Sequence, residues 1–230
     1  MNSMKNIAVK LVTTLFPRLS YGVRAYSSEG EDLILKRIFD KKKKGVYIDV
    51  GAHHPFRVSN TYLLYKRNWT GINIDPLPGS KALFNKHRPK DINLEIGVSV
   101  VKQQLTYFIF NEPALSTFSP EKVKEYTQIP KYRVIREKKV DTWPLADILD
   151  TYLPKDVTID FITIDAEGLD MEVLRSNNWD KYRPAYVLAE SSPFEVLQTD
   201  RSELCQFMQQ VGYSMFAKTY YTYFFKNMNT

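Results

Sequence analysis

The 230-residue sequence has a single cysteine, few glycines and no long apolar run. Because Cys205 stands alone, a disulfide framework within one chain and a cysteine-rich zinc module are both excluded. A lone cysteine favours a reducing compartment, so we expect a cytoplasmic protein. Nowhere do about eighteen apolar residues follow one another, so the sequence predicts no transmembrane helix. The nine glycines form no glycine-rich phosphate loop, and there is no serine nucleophile elbow.

Charge is in mild basic excess, with 32 Lys and Arg against 26 Asp and Glu and a formal net charge of +6. This excess suits an anionic substrate or a membrane surface, but it also fits an ordinary solvated face. In the first 25 residues, Ile7, Leu11 and Leu15 recur at a spacing of four, which predicts an N-terminal helical extension. This extension would either pack as a lid or make a peripheral membrane or partner contact, and both interpretations stay open.

Short apolar runs alternate with amphipathic segments along residues 26–230, which we expect to form a single domain. This alternation favours a mostly parallel α/β sheet that is covered on both faces. Near the end, Tyr213–Ala217 and Tyr221–Phe225 are too close together for a parallel crossover, so they predict an antiparallel hairpin. The other predicted strands are 46–50, 71–75, 92–100, 158–165 and 185–189.

Residues 111–157 fit this alternation least well. The segment 111–130 mixes Pro, Ser, Thr and Glu irregularly, which is more typical of an inserted lid or substrate loop than of a plain connector. Just before it, Leu105–Phe110 is either an extension of the third strand or part of a separate hairpin. The basic residues between Lys122 and Lys139 are candidates to hold phosphates of a substrate.

Polar residues follow the predicted strands at the points where they end. In open parallel sheets, ligands bind beyond these carboxyl ends. Gly51 allows a sharp turn after the first strand, and Asp75 ends the second strand, where an acidic side chain can accept two ribose hydroxyls. The turn lacks the later glycines of a dinucleotide-binding loop, and Pro55 removes a backbone donor. A nucleoside without a pyrophosphate therefore fits this turn better.

A second group of acids follows the fourth and fifth strands. Asp165 and Glu190 offer oxygens that suit a divalent ion such as Mg²⁺ or Mn²⁺, with His54 as a third ligand. The alternative is a carboxylate that acts as general base toward a substrate hydroxyl. Glu167 and Asp170 also fit a purely structural role, in which they complement the N-terminus of the following helix.

At these motifs the chain resembles the FkbM family of S-adenosylmethionine-dependent methyltransferases, from about Tyr26 to Ser191. The resemblance implies the class I methyltransferase fold, which is Rossmann-like, with a mostly parallel seven-stranded sheet and a C-terminal antiparallel hairpin strand. The motifs that carry the resemblance are Tyr26–Asp32, Tyr47–Pro55, Ser59–Thr61, Trp69–Pro76, Gly97–Ser99, Leu115–Thr117 and Ile164–Asp170.

The resemblance also implies S-adenosylmethionine as the cofactor and assigns residues to it. Asp49 and Gly51 would lie at its methionine end, Asp75 at its ribose, and Gly97 with Val98 at its adenine. The remaining predicted cofactor contacts are Glu29, Gly30, Ala52, Pro76 and Asp165. The predicted catalytic residues are Asp165, Glu190 and His53, and the predicted substrate contacts are Ser116, Thr117 and Glu167.

The resemblance implies methylation of a hydroxyl on a sugar, nucleotide sugar or related small molecule, in bacterial surface-polysaccharide biosynthesis. Such a hydroxyl is a poor nucleophile, so it needs a base or a metal ion. Two alternatives stay open. A nucleic-acid or protein methyltransferase would need a continuous basic groove with exposed aromatics, and the same scaffold could serve as a non-catalytic adenosine-binding protein. We expect no nucleic-acid partner, and a homodimer is compatible with the sequence.

Overall fold

A computed structural model describes residues 14–16, 22–190 and 202–228. Its strands are β1 (Val46–Val50), β2 (Thr70–Ile74), β3 (Ile92–Leu94), β4 (Gly97–Val98), β5 (Gln103–Phe110), β6 (Val134–Trp143), β7 (Phe161–Ile164), β8 (Tyr186–Glu190), β9 (Tyr213–Lys218) and β10 (Thr222–Asn227). Its α-helices are α1 (Glu31–Ile38), α2 (Tyr62–Tyr65), α3 (Ser80–His87), α4 (Pro120–Thr127), α5 (Leu145–Tyr152), α6 (Asp170–Arg175) and α7 (Glu203–Gln210), and a short 3₁₀ helix spans Pro113–Leu115.

Seven of these strands form the main sheet, in the order β3-β2-β1-β7-β8-β10-β9. The pairs among β3, β2, β1, β7 and β8 are all parallel, whereas β10 pairs antiparallel with both β8 and β9. The predicted class I fold is therefore confirmed, including its antiparallel C-terminal hairpin. From β1, the chain places β2 and β3 on one side of the sheet and then β7 and β8 on the other. The carboxyl ends of β1 and β7 therefore border a crevice of the kind in which such sheets bind ligands.

Two predictions about the middle of the chain are wrong in detail. The third predicted strand, 92–100, is broken after Leu94, and Gly97–Val98 instead pairs with β6 in a separate three-stranded sheet of order β4-β6-β5. The segment 111–130, which we expected to be irregular, contains the 3₁₀ helix and α4, and β6 and α5 follow it. The ten-residue strand β6 pairs antiparallel with β5, so Leu105–Phe110 belongs to a second sheet and does not extend the third strand of the main sheet. Charged residues along β6 mask its strand pattern.

The main sheet is covered on both faces by apolar side chains. One face packs Ile48, Ile162 and Val187 against α5, α6 and α7. The other face packs Tyr47, Phe161 and Leu188 against α1 and the segment around α2. The predicted extension 1–25 lies mostly outside the described residues, as does the end of the resemblance at Ser191. In the described part of the chain, no helix combines the length and apolarity that crossing a bilayer requires.

Beneath the carboxyl edge, a buried polar network joins α3 to β1 and β2. The side chain of Arg88 is fully buried and donates to Asp91 at 2.8 Å and to Thr61 Oγ1 at 3.0 Å. Asp91 also accepts from the Tyr47 hydroxyl at 2.7 Å, and Thr61 donates to Asp49 at 2.6 Å. Because each of these groups has a partner, burial of the charges is tolerated.

We predict that Arg88→Leu lowers the free energy of unfolding by about 3–5 kcal/mol, because Asp91 would become an uncompensated buried charge. Urea denaturation measures this change. Lys86→Ala, at an exposed position on the same helix, serves as the control and should change stability by no more than about 0.5 kcal/mol. Equal effects of the two substitutions would contradict the structural role of the network.

Candidate active site

A cavity of about 260 Å³ opens at the carboxyl edge of the main sheet, where β1, β2 and β7 end. Four acidic side chains face it, and in the described part of the chain no Lys or Arg lines it. The predicted site residues in its lining are Gly51, His53, Asp75, Pro76, Gly97, Val98, Ser116, Asp165, Glu167 and Glu190. The structure therefore brings these ten predicted residues together around one cavity.

The close approach of two backbone segments fixes the turn after β1. Gly51 has a φ of +79°, and a Cβ added there would lie 1.7 Å from the Asp165 carbonyl oxygen. Its amide donates to the Ile74 carbonyl at 2.9 Å, which ties the turn to the end of β2. Only glycine fits this position, so the turn brings the ends of three strands together.

We predict that Gly51→Ala destabilises the fold more than Gly79→Ala does. Both positions have a positive φ, but a Cβ at Gly79 would meet nothing within 4 Å. The Gly79 variant should therefore cost only the left-handed backbone penalty of about 1–2 kcal/mol, whereas the Gly51 variant adds a clash with backbone. Thermal unfolding of both variants measures the difference, and equal losses would contradict the close approach.

The Asp75 carboxylate is held by two backbone hydrogen bonds and can still accept others. Its carboxylate accepts the His53 amide at 2.8 Å and the Leu77 amide at 2.8 Å, one on each oxygen. Burial raises the pKa of Asp75 to about 6, although the two amide bonds oppose the rise. Since a carboxylate has about four acceptor sites, Asp75 keeps acceptor capacity for further donors on the cavity side.

Asp165 and Glu190 are buried acids at the cavity, and burial and neighbouring acids disfavour their ionised forms. Burial and the charge of Glu190 raise the pKa of Asp165 well above its usual range, and its Oδ1 is buried with no hydrogen-bond partner. Burial and the nearby Asp170 raise the pKa of Glu190 to about 8. Glu190 therefore keeps its proton to a higher pH than a free carboxyl does, and its protonated form can donate a hydrogen bond. An unpaired buried oxygen at Asp165 is costly unless a ligand uses it.

We predict that Glu190→Gln removes part of the pH dependence of stability. Because the pKa of Glu190 is raised in the folded state, the folded state holds the extra proton between the unfolded pKa and about pH 8. Its contribution to the unfolding free energy is therefore largest in acid and is lost as the pH rises toward 8. The variant should gain stability relative to wild type between pH 5 and about pH 8.5 in urea titrations. A constant difference across that range would contradict the raised pKa.

Glu167 is clamped by the segment that precedes β6. The Tyr126 hydroxyl donates to Glu167 Oε2, and Thr117 Oγ1 donates to the Glu167 carbonyl at 2.8 Å. The backbone of Glu167 has a φ of +48°, which is unusual for a residue with a side chain. His53 and Val58, which also line the cavity, have positive φ values too. Strained backbone of this kind concentrates at functional sites.

Comparison with known proteins decides the family. The family model described as the methyltransferase FkbM domain matches residues 49–215. The chain belongs to the FkbM methyltransferase family. It is accordingly an S-adenosylmethionine-dependent methyltransferase, as its motifs suggested. No curated protein matches the chain.

Three solved structures align with most of this chain at low similarity. A precorrin 8W decarboxylase from Methanobacterium thermoautotrophicum is 12% identical, covers 89% of this chain and 92% of that chain, and has a TM-score of 0.45. An O-methyltransferase from Bacillus cereus in complex with SAH is 9% identical, with coverages of 94% and 88% and a TM-score of 0.42. A TehB-like SAM-dependent methyltransferase from Corynebacterium glutamicum is 9% identical, with coverages of 96% and 99% and a TM-score of 0.41.

The predicted metal set of Asp165, Glu190 and His54 does not come together in this FkbM domain. In residues 14–16, 22–190 and 202–228, no group of three or more His, Cys, Asp and Glu side chains is arranged to hold a metal ion. The reason lies in the loop after β1. There His54 turns away from the cavity, and its Nδ1 accepts the amides of Phe56 and Arg57 at 3.3 and 3.2 Å. The adjacent His53 lines the cavity instead.

Several other predicted contacts of the FkbM motifs lie outside the cavity lining. Asp49 is directed toward Thr61. Glu29 accepts the Tyr221 amide at 3.0 Å, so its carboxylate ties the N-terminal motif to the β9–β10 turn. The predicted contacts that do not line the cavity are Glu29, Gly30, Asp49, Ala52 and Thr117, together with His54. The basic residues between Lys122 and Lys139 are also outside the lining.

The sequence analysis missed an apolar wall contributed by the second sheet. Tyr107 of β5 and Phe118 line the cavity beside Gly97, and their ring centroids are 4.7 Å apart. A Cβ at Gly97 would lie 2.6 Å from the Phe118 ring, so this glycine permits the close packing. The alternation of β5 was the available signal, but only the pairing with β6 shows which of its side chains face the cavity.

Proposed function

We propose that this FkbM domain transfers a methyl group to a hydroxyl of a sugar, nucleotide sugar or related small molecule, in the cytoplasm and within bacterial surface-polysaccharide biosynthesis. The main support for this proposal is the acidic cavity. Four acids line it, and no Lys or Arg does so in the described part of the chain: the acids are Asp75, Asp165, Glu167 and Glu190. Carboxyl groups both attract a cationic cofactor and hydrogen-bond to hydroxyls of an acceptor. The family motifs support the sugar acceptor and the biosynthetic setting.

The residues at the carboxyl edge fit S-adenosylmethionine. Asp75 retains acceptor capacity for two ribose hydroxyls, and the turn at Gly51 offers backbone rather than bulky side chains. The unpartnered Oδ1 of Asp165 lies on the same cavity. When bound, the cofactor supplies a methyl group on a positively charged sulfur. The negative potential of the cavity favours that positive charge.

Glu167 is the carboxylate that we assign as general base. Tyr126 holds one of its oxygens, which leaves the other available to an acceptor hydroxyl. Burial raises the pKa of Glu167, but the Tyr126 hydrogen bond and the charge of Lys122 oppose the rise. Asp165 lacks such a donor to its Oδ1. Asp165, Glu190 and His53 then orient the acceptor, with His53 neutral because burial and Arg57 lower its pKa to about 4.

We predict that Asp75→Ala weakens S-adenosylmethionine binding by about 1–3 kcal/mol, since the ribose hydroxyls would lose their acceptor. Calorimetry on the full chain measures the affinity. Asp40→Ala is the control, because Asp40 is an exposed acid outside the cavity lining. Unchanged affinity in the Asp75 variant would contradict the ribose assignment.

The acceptor is tested by transfer of a labelled methyl group from S-adenosylmethionine to a panel of free sugars, nucleotide sugars and RNA. We expect label in at least one sugar and none in RNA. Transfer to RNA alone, or to a protein alone, would overturn the proposed function. Repeating the assay with a chelator tests the metal requirement separately.

Once an acceptor is identified, Tyr126→Phe should lower kcat by about tenfold, because Glu167 remains as the base but loses the hydrogen bond that orients it. Glu167→Gln should lower kcat by about 10²–10⁴-fold, the usual contribution of a general base. Tyr132→Phe, which changes a tyrosine that makes no hydrogen bond to Glu167, should leave kcat unchanged. A Tyr126 variant that altered only KM would show that Tyr126 does not position the base.

A further inference from the structure

An aromatic–basic strip extends outward from the cavity wall across the surface of α2. It consists of Arg24, Tyr26, His54, Phe56, Tyr62 and Lys66. The contacts between neighbours are continuous. Ring centroids are 4.5 Å apart for His54 and Phe56, 5.9 Å for Phe56 and Tyr62, and 4.8 Å for Tyr62 and Tyr26. At its inner end, the His54 ring lies 6.1 Å from the ring of the cavity residue His53.

The strip carries positive charge that is not neutralised. Lys66 Nζ lies 5.2 Å and Arg24 Cζ 4.9 Å from the centroid of the Tyr26 ring. Neither cation has an ion pair with a described carboxylate, and Lys66 donates instead to the Tyr26 hydroxyl at 3.0 Å. Residues 51–90 contain seven Lys or Arg and a single acid, Asp75, which faces the cavity. Two of the seven are neutralised, because Arg88 is buried in an ion pair with Asp91 and Arg57 pairs with Glu112, and the other five have no described ion pair. This surface is therefore basic next to a cavity that is acidic.

We propose that the aromatic–basic strip binds a negatively charged part of the acceptor, a sugar chain that carries phosphate or carboxylate groups. This inference rests on the proposed function, because it assumes a sugar acceptor. Rings held against cations fix the ammonium and guanidinium groups in place, so less side-chain entropy is lost when they bind an anion. Exposed rings such as Phe56, which is 40% exposed, offer apolar surface to the C–H faces of sugar rings.

The continuity of the strip with the cavity favours an acceptor over a separate partner. In a nucleic acid, phosphates flank every nucleotide on both sides, so some of them would lie against the four acidic groups of the cavity, where they are repelled. A nucleotide sugar carries its phosphates on one side of the sugar only. In a sugar chain, the charged groups can lie several residues from the methylated one. A membrane surface would not require a connection to the cavity at all.

The test measures binding of the full chain to dextran phosphate and to oligogalacturonate, with neutral dextran for comparison, by calorimetry at low salt. We expect at least one anionic glycan to bind and dextran not to bind. Lys66→Gln and Phe56→Ala should each weaken binding by about three- to fivefold. The matched controls Lys43→Gln and Phe216→Ala change an exposed lysine and an exposed phenylalanine elsewhere, and they should each alter binding by less than about 1.5-fold. Affinity for S-adenosylmethionine should be unchanged in all four variants.

Equal losses in the strip and control variants would overturn the proposal, because binding would then reflect only the overall basic charge. Equal binding of neutral dextran would overturn it as well. So would strip-dependent binding of poly(U) or of phosphatidylserine vesicles with no binding of either anionic glycan. Methyl transfer to free sugars, assayed in the same variants, separates the two proposals. Transfer that persists without glycan binding refutes the strip alone, whereas transfer to no sugar refutes the proposed function.

Discussion

Four carboxyl groups share one cavity at the carboxyl edge of the sheet, and in the described part of the chain no basic side chain neutralises them. Burying acids in this way costs free energy in the empty protein, which is visible as the raised pKa values of Asp165 and Glu190. A bound cation recovers part of that cost. We therefore propose that the cavity accepts a ligand that carries positive charge, and S-adenosylmethionine has that property.

The fold holds the acids in place through backbone contacts and buried polar bonds. Gly51 lies close against the Asp165 carbonyl, and the Asp165 amide donates to the Val50 carbonyl at 2.9 Å, so the ends of β1 and β7 are held together. Behind them, Arg88 and Asp91 connect α3 to β1 and β2. On the outer side, Tyr126 reaches Glu167 from α4. The segment that most resembles an insertion in the sequence thus supplies a support for the proposed base.

The sequence predicted the parts of the fold and site that depend on local pattern. Continuous apolar runs identified the parallel strands, and acids at their ends identified Asp75, Asp165 and Glu190 as neighbours. The pairing of strands that lie far apart in the sequence could not be predicted from local pattern. The strand β6 is masked by its own charges, and its pairing with β5 brings Tyr107 to the cavity. The orientation of His54 depends on bonds within its loop, which a sequence pattern does not specify.

The central claim is that the nucleoside cofactor lies across the edge where β1 and β2 end. A crystal structure of the full chain grown with S-adenosylhomocysteine tests it most directly. The account predicts ribose hydroxyls within hydrogen-bond distance of the Asp75 carboxylate and the nucleoside in contact with Gly51 and Gly97. A nucleoside bound elsewhere, or one that leaves Asp75 with only its two backbone donors, would contradict the account.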